Sequence, residues 1–187
     1  MKPIKNIASV EEAKESGSRL PAGGYVCKYT KVEDREEKSG LYMEYDIAEG
    51  DFKDYFKALE ERMDFWGGHY FRSYSEKAIP FFKRMCSAVT KSNKKFIFDG
   101  NEHCDESTLV GKLIGLVLGE EEYIGNDGST KTRLYVVREM PIDDIKAGKF
   151  KVPAIKKLKE EETTTAKASD DGFMNIPEGA DEETPFN

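Results

Sequence analysis

Lys112-Leu-Ile-Gly-Leu-Val-Leu118, Glu121-Glu-Tyr-Ile124, Gly125-Asn-Asp-Gly128 and Lys131-Thr-Arg-Leu-Tyr-Val-Val137 follow one another almost without interruption. Two runs of aliphatic, β-branched and aromatic residues either side of a Gly-Asn-Asp-Gly turn predict a β-hairpin. A second pair precedes it. Tyr25-Val-Cys-Lys-Tyr-Thr-Lys-Val32 is β-branched and aromatic, and Lys38-Ser-Gly40 supplies a turn. Leu41-Tyr-Met-Glu-Tyr-Asp-Ile47 then alternates, with Leu41, Met43, Tyr45 and Ile47 on one face.

Between the two pairs the period changes. Phe52, Tyr55, Phe56, Leu59 and Met63 fall on one helical stripe. Trp66 to Tyr74 reads as a Gly-containing loop with a short strand. Ser75 is placed to cap a second helix through Ile79, Phe82, Met85, Cys86 and Val89, with Pro80 leaving its start open. Phe96-Ile-Phe98 reads as extended, Asp105 to Leu109 as one helical turn, and Pro141 to Ile145 as a short helix. The order is therefore strand, strand, helix, short strand, helix, hairpin. This predicts a mainly β fold with inserted helices, for which an OB-like five-stranded barrel is the first choice. An α+β sandwich of the same elements is the competing architecture.

Charge divides the chain unevenly. From Glu160 onward there are nine acidic residues against one lysine, a net of −8, while the whole chain carries −7, so residues 1–159 carry +1. The acidic composition belongs to the C-terminal segment and says nothing against a nucleic-acid ligand for the lysine-rich body. The expected organisation is a flexible segment over 1–20, one domain over 21–158 and a disordered acidic tail over 159–187. Three cysteines (Cys27, Cys86, Cys104), 35% charged residues and no apolar run near Met1 point to a reducing cytoplasm and away from membranes. His103-Cys104 lacks further ligands at metal-binding spacing, so no metal or other cofactor is expected.

The tail segment Asp181-Glu-Glu-Thr-Pro-Phe186 resembles the acidic tip of bacterial single-stranded DNA-binding proteins, whose terminal Pro-Phe docks into basic pockets of replication and repair enzymes. It departs at one place, since Asn187 follows the Phe. The resemblance implies a partner-binding role for Asp181, Glu182, Glu183, Pro185 and Phe186, with replication or recombination proteins as partners. The body carries a second likeness, in Pro21-Ala-Gly-Gly-Tyr25, Tyr45-Asp-Ile-Ala-Glu-Gly50, Trp66-Gly-Gly-His-Tyr70, Ile79-Pro-Phe-Phe-Lys83, Gly119-Glu-Glu-Glu-Tyr-Ile124 and Gly148-Lys-Phe-Lys-Val-Pro153. It resembles a family of small proteins encoded near replication and recombination genes of phages and integrated elements, catalogued as a domain of unknown function. That likeness implies an OB-like fold and single-stranded DNA as the ligand.

Holding a single strand without reading its sequence requires rings for base stacking and nearby cations for phosphates. Lys28, Tyr29 and Lys31 are neighbours on the first strand. Lys131, Arg133 and Tyr135 share one face of the last. Trp66, Tyr70, Arg72 and Tyr74, with His69 among them, fall in the Gly-containing segment, where rings can reach a ligand. These are the candidate nucleic-acid contacts, each weighed against an ordinary structural role: Trp66 more often anchors a core, and strand lysines often protect an edge.

Other classes are less well served. There is no G-x-S-x-G, P-loop or dinucleotide fingerprint, and no enzyme is expected. Asp143-Asp144, or Asp46 with Glu44, would be the acids of a metal-dependent nuclease, the weakest alternative. A protein-binding adaptor or inhibitor of a host enzyme, its tail mimicking DNA, is the stronger one. Single-strand binders often assemble as homo-oligomers, but no spacing here fixes a symmetry.

Overall fold

The computed structural model of the chain describes residues 19–101 and 104–158. The acidic tail with its partner-binding residues, the first eighteen residues and His103 lie outside the described residues. Five strands form one antiparallel sheet: β1 Gly23–Arg35, β2 Gly40–Ile47, β3 His69–Ser73, β4 Leu113–Ile124 and β5 Thr130–Met140, in the order β3-β2-β1-β4-β5. Three helices are inserted, α1 Tyr55–Met63, α2 Ile79–Ser92 and α3 Ile142–Lys146, so the fold is mainly β with helices between strands.

The strand patterns translate directly into burial. Leu41, Met43, Tyr45 and Ile47 of β2 all enter the main core, where they meet Cys27 and Tyr29 of β1 and Ile114, Leu116 and Leu118 of β4. The unbroken apolar run in β4 has a different cause. Its even positions enter that core, while Val117 joins Val26, Met140 and Ile145 in a second cluster on the opposite face. A strand covered on both faces needs no polar alternation. Gly115 permits the cover, because a Cβ there would lie 2.5 Å from the Ile145 side chain and 2.6 Å from the Met140 carbonyl.

The helices begin by several devices. Asp46, almost fully buried, accepts hydrogen bonds from the backbone N–H groups of Ile47, Phe56 and Lys57 at 2.8, 2.9 and 3.1 Å, which satisfies two donors in the first turn of α1. That commitment explains an acid on a strand without invoking a metal. Ser75 starts the second helical segment through its carbonyl, which accepts from Ala78 and Ile79 N–H, rather than through its hydroxyl. A 3₁₀ turn, Glu76–Ala78, precedes α2, and Pro80 sits in the first turn of that helix, where its missing N–H costs nothing. Asp105 caps the 3₁₀ turn Glu106–Leu109 through Ser107 N–H. Phe96-Ile-Phe98 is not a strand: Phe98 packs into the core while its N–H and carbonyl both bond the Thr90 hydroxyl, leaving no ladder to join.

The sheet is strongly coiled. Laid flat, five strands at about 4.8 Å spacing would hold β3 and β5 roughly 19 Å apart. Instead Arg72 Nε of β3 donates to Glu139 Oε1 of β5 at 2.7 Å, and Arg84 Nη2 of α2 donates to Glu139 Oε2 at 3.3 Å. Both edge strands run in the same direction, and the contact between them is made by side chains. The hydrogen-bonded ladder ends at each, so the sheet is not closed.

Candidate nucleic-acid interface

The pleat divides β3 by parity. In the β2–β3 ladder Tyr70 faces Met43 and Arg72 faces Leu41, both core positions, whereas His69 faces Glu44 and Phe71 faces Tyr42 on the outside. The inward residues form a buried polar chain. Tyr29 and Tyr70, both buried, join hydroxyls at 2.6 Å, and the Arg72 guanidinium lies 5.7 Å from the centre of the Tyr70 ring before reaching Glu139. Burial pushes the hydroxyl pKa of both tyrosines well above the ordinary value, so they stay neutral.

Three of the expected contacts are therefore corrected. Tyr29 and Tyr70 belong to the core and present no ring to a base. Arg72 is committed to a buried ion pair with Glu139. The other candidates divide further. Tyr74 is half-buried edge-on against Phe82 and donates to Asp34 at 2.8 Å; desolvation, then this bond, raise its pKa to about 12. It lines a cleft where Asp34, Asp99 and Glu106 outnumber Lys83, a net acidic setting poorly suited to phosphate. Trp66 is half-buried, its ring near Phe56 and its Nε1 donating to Gly68 O at 3.0 Å.

Lys131, Arg133 and Tyr135 do share one face of β5, beside Tyr123, Glu121 and Gly119 of β4. Their charges are spent locally. Lys131 pairs with Asp127 at 2.9 Å and Arg133 with Glu121 at 2.7 Å, the latter also lying over the Tyr123 ring. Lys28 and Lys31 are exposed on β1, Lys31 in a 2.6 Å pair with Glu33. The acids considered for a nuclease are dispersed: Asp46 caps α1 and Asp144 pairs with Lys149. Among the described residues no three His, Cys, Asp or Glu side chains gather to hold a metal.

The structure brings His69 of the Gly-containing segment together with Tyr42, Phe71 and Arg35, which the sequence patterns do not single out. On the outer face of β1–β2–β3, Tyr42 and His69 lie with ring centres 5.6 Å apart and planes tilted by 32°. Phe71 is opposite Tyr42 in the ladder and lies over Gly40, where a side chain would displace the ring. Arg35 places its guanidinium 4.5 Å from the centre of the Tyr42 ring. Across β2, Glu44 is in register with both Lys31 and His69, and Tyr42 with both Glu33 and Phe71. Three rings thus form a platform edged by Arg35 and Lys31, with Glu33 and Glu44 between. Such a surface can stack on bases, but its interspersed acids make it a poor carrier of phosphates. One signal for it was available, because the alternation that sends Leu41 and Met43 inward sends Tyr42 outward.

No protein-family model matches the chain, and no curated protein sequence matches it.

Proposed function

We propose that this chain binds single-stranded DNA through an OB-like domain and acts in phage or mobile-element replication or recombination. The observation that carries the reading is the outer-face platform of Tyr42, His69 and Phe71 with Arg35 at its edge. Stacking on exposed rings contributes roughly 1–3 kcal/mol per base and is indifferent to sequence. The strand order and the meeting of β3 and β5 through Arg72 and Glu139 support an OB-like barrel completed by side chains. In that architecture the face of strands 2 and 3 is where oligonucleotides bind, and the platform lies on β2 and β3. The resemblances noted in the body and the tail point to the same class of ligand.

Residues 160–187 would recruit replication or recombination enzymes through Pro185-Phe186. With a net charge of −8, they would also compete with DNA for the body's cations at high effective concentration. The test is fluorescence anisotropy of a labelled oligo-dT, with duplex DNA and RNA as competitors, for the full chain and for residues 1–159. The expected outcome is salt-sensitive binding that duplex does not displace, tighter without the tail, most visibly at low salt. Absence of binding by either chain at low salt would overturn the reading and favour the adaptor or inhibitor of a host enzyme.

A further inference from the structure

The platform leaves a question of charge, since Lys31 is already paired and Glu33 and Glu44 stand among the rings. Cations with no carboxylate partner among the described residues occur where β4 begins. The turn that ends α2, Asn93-Lys-Lys-Phe96, is closed by Phe96 N–H to Asn93 O at 3.2 Å. It is fastened to the sheet by the Asn93 side chain, which donates to Leu113 O at 2.8 Å and accepts from Leu113 N–H at 3.0 Å. Lys112 Nζ lies 4.4 Å from the centre of the Phe96 ring, and Lys28 is opposite Leu113 on β1. Lys28, Lys94, Lys95 and Lys112 therefore border one stretch of chain, and none has a carboxylate within salt-bridge distance among the described residues.

Two further observations mark this rim. Ile97, beside the lysines, is 76% exposed, which sets apolar surface next to unneutralised charge. Lys95 has φ +60°, a left-handed conformation that glycine adopts without cost and lysine does not. Ser39, Asp54 and Asp64 share that region at helix ends, so at Lys95 it marks the tight turn that follows α2 and fixes where this lysine sits.

We infer that the rim of Lys28, Lys94, Lys95 and Lys112 carries the phosphates of a single strand whose bases stack on the Tyr42, His69 and Phe71 platform. This rests on the function proposed above and assigns it a division of labour. Lys28, opposite Leu113 of β4 and Asp46 of β2, stands on β1 between the two parts.

The two parts respond differently to salt. Each phosphate neutralised on a single strand contributes about 0.7 to the slope of log K against log salt, whereas stacking contributes little. The experiment is anisotropy of a labelled oligo-dT over a salt series with the full chain, folding being checked by circular dichroism. Combining Lys94→Gln, Lys95→Gln and Lys112→Gln is expected to reduce the slope by about 2 and the affinity about 100-fold at 0.1 M salt. Phe71→Ala should weaken binding at every salt concentration and leave the slope in place. Lys95→Gly supplies a second readout with opposite signs, raising the thermal midpoint by relieving the backbone while weakening binding roughly fivefold at 0.1 M salt. If wild type binds and the triple variant keeps its slope, the rim assignment falls and the platform survives. Failure of the wild type to bind oligo-dT at low salt removes both. Equal loss of duplex and oligo-dT binding in the triple variant, with Phe71→Ala silent, would make the rim a general polyanion site and overturn the continuous path.

Discussion

At one end of β4 the cations are paired, and at the other, among the described residues, they are not. Near its hairpin, Lys131, Arg133, Lys156 and Arg19 each face a carboxylate, of Asp127, Glu121, Glu121 and Glu120 respectively. At its start, roughly 25 to 40 Å away by strand length, Lys28, Lys94, Lys95 and Lys112 face none among the described residues. Both ends are equally basic by count. A cation already neutralised must break a pair to take a phosphate, and releases fewer counterions when it does. The number of lysines on a surface therefore matters less than how many are unspent.

Pairing is carried furthest inside the coiled sheet, where Glu139 is fully buried between Arg72 and Arg84. The largest effect is expected there. Glu139→Gln keeps the shape but leaves two guanidinium groups facing a neutral amide, and removing one member of such a buried set costs about 3–5 kcal/mol. Urea unfolding should show that loss as a lower midpoint. An unchanged midpoint would mean that the apolar core alone holds β3 against β5.

The outer face comes next. Tyr42→Ala and Phe71→Ala should each weaken oligo-dT binding by about 1–3 kcal/mol, with little change in stability because both rings are only partly buried. Binding that survives both substitutions would place stacking elsewhere and leave the unpaired lysines as the only functional distinction between the ends of β4.

Why the strands were legible and the site was not follows from the same ladders. Alternation in β2 and the turn in the β4–β5 hairpin are local, so their patterns specified strands wherever neighbours agreed. β3 carries rings or long cations at both parities, His69, Tyr70, Phe71 and Arg72, and period-2 alternation alone does not say which parity is inside. Only the pairing of Tyr70 with Met43 decides it. Tyr70 therefore reads as a stacking ring, and Phe71, one position away, does not. The lysines are told apart only in the fold for a related reason: Lys131 and Lys95 look alike in sequence, and the first is matched to Asp127 only through the geometry of a turn. Phe96 to Phe98 reads as extended because nothing in those residues shows that the Thr90 hydroxyl takes the backbone groups of Phe98.

The smallest effect tests whether pairing or position separates the two ends. The Ser129 hydroxyl, the Lys131 ammonium and the Ser129 N–H lower the Asp127 carboxyl pKa to about 2. Because the folded-state value is depressed, whatever Asp127 adds to stability is present above about pH 4. It is lost as pH falls toward 2. At neutral pH the carboxylate is charged and holds Lys131. Asp127→Asn releases that lysine without touching the rim, and should raise the salt slope by up to about 0.7 and the affinity by at most about fivefold at 0.1 M salt. Loss of one negative charge would itself favour DNA, so Glu61→Gln, an exposed acid on α1, makes the same change in net charge without releasing a paired lysine. A larger slope in Asp127→Asn than in Glu61→Gln would show that freeing a cation is enough to recruit a phosphate even at the hairpin. Equal slopes would show that Lys131 lies off the path of the strand, and that the two ends of β4 differ by where they point as well as by how they are paired.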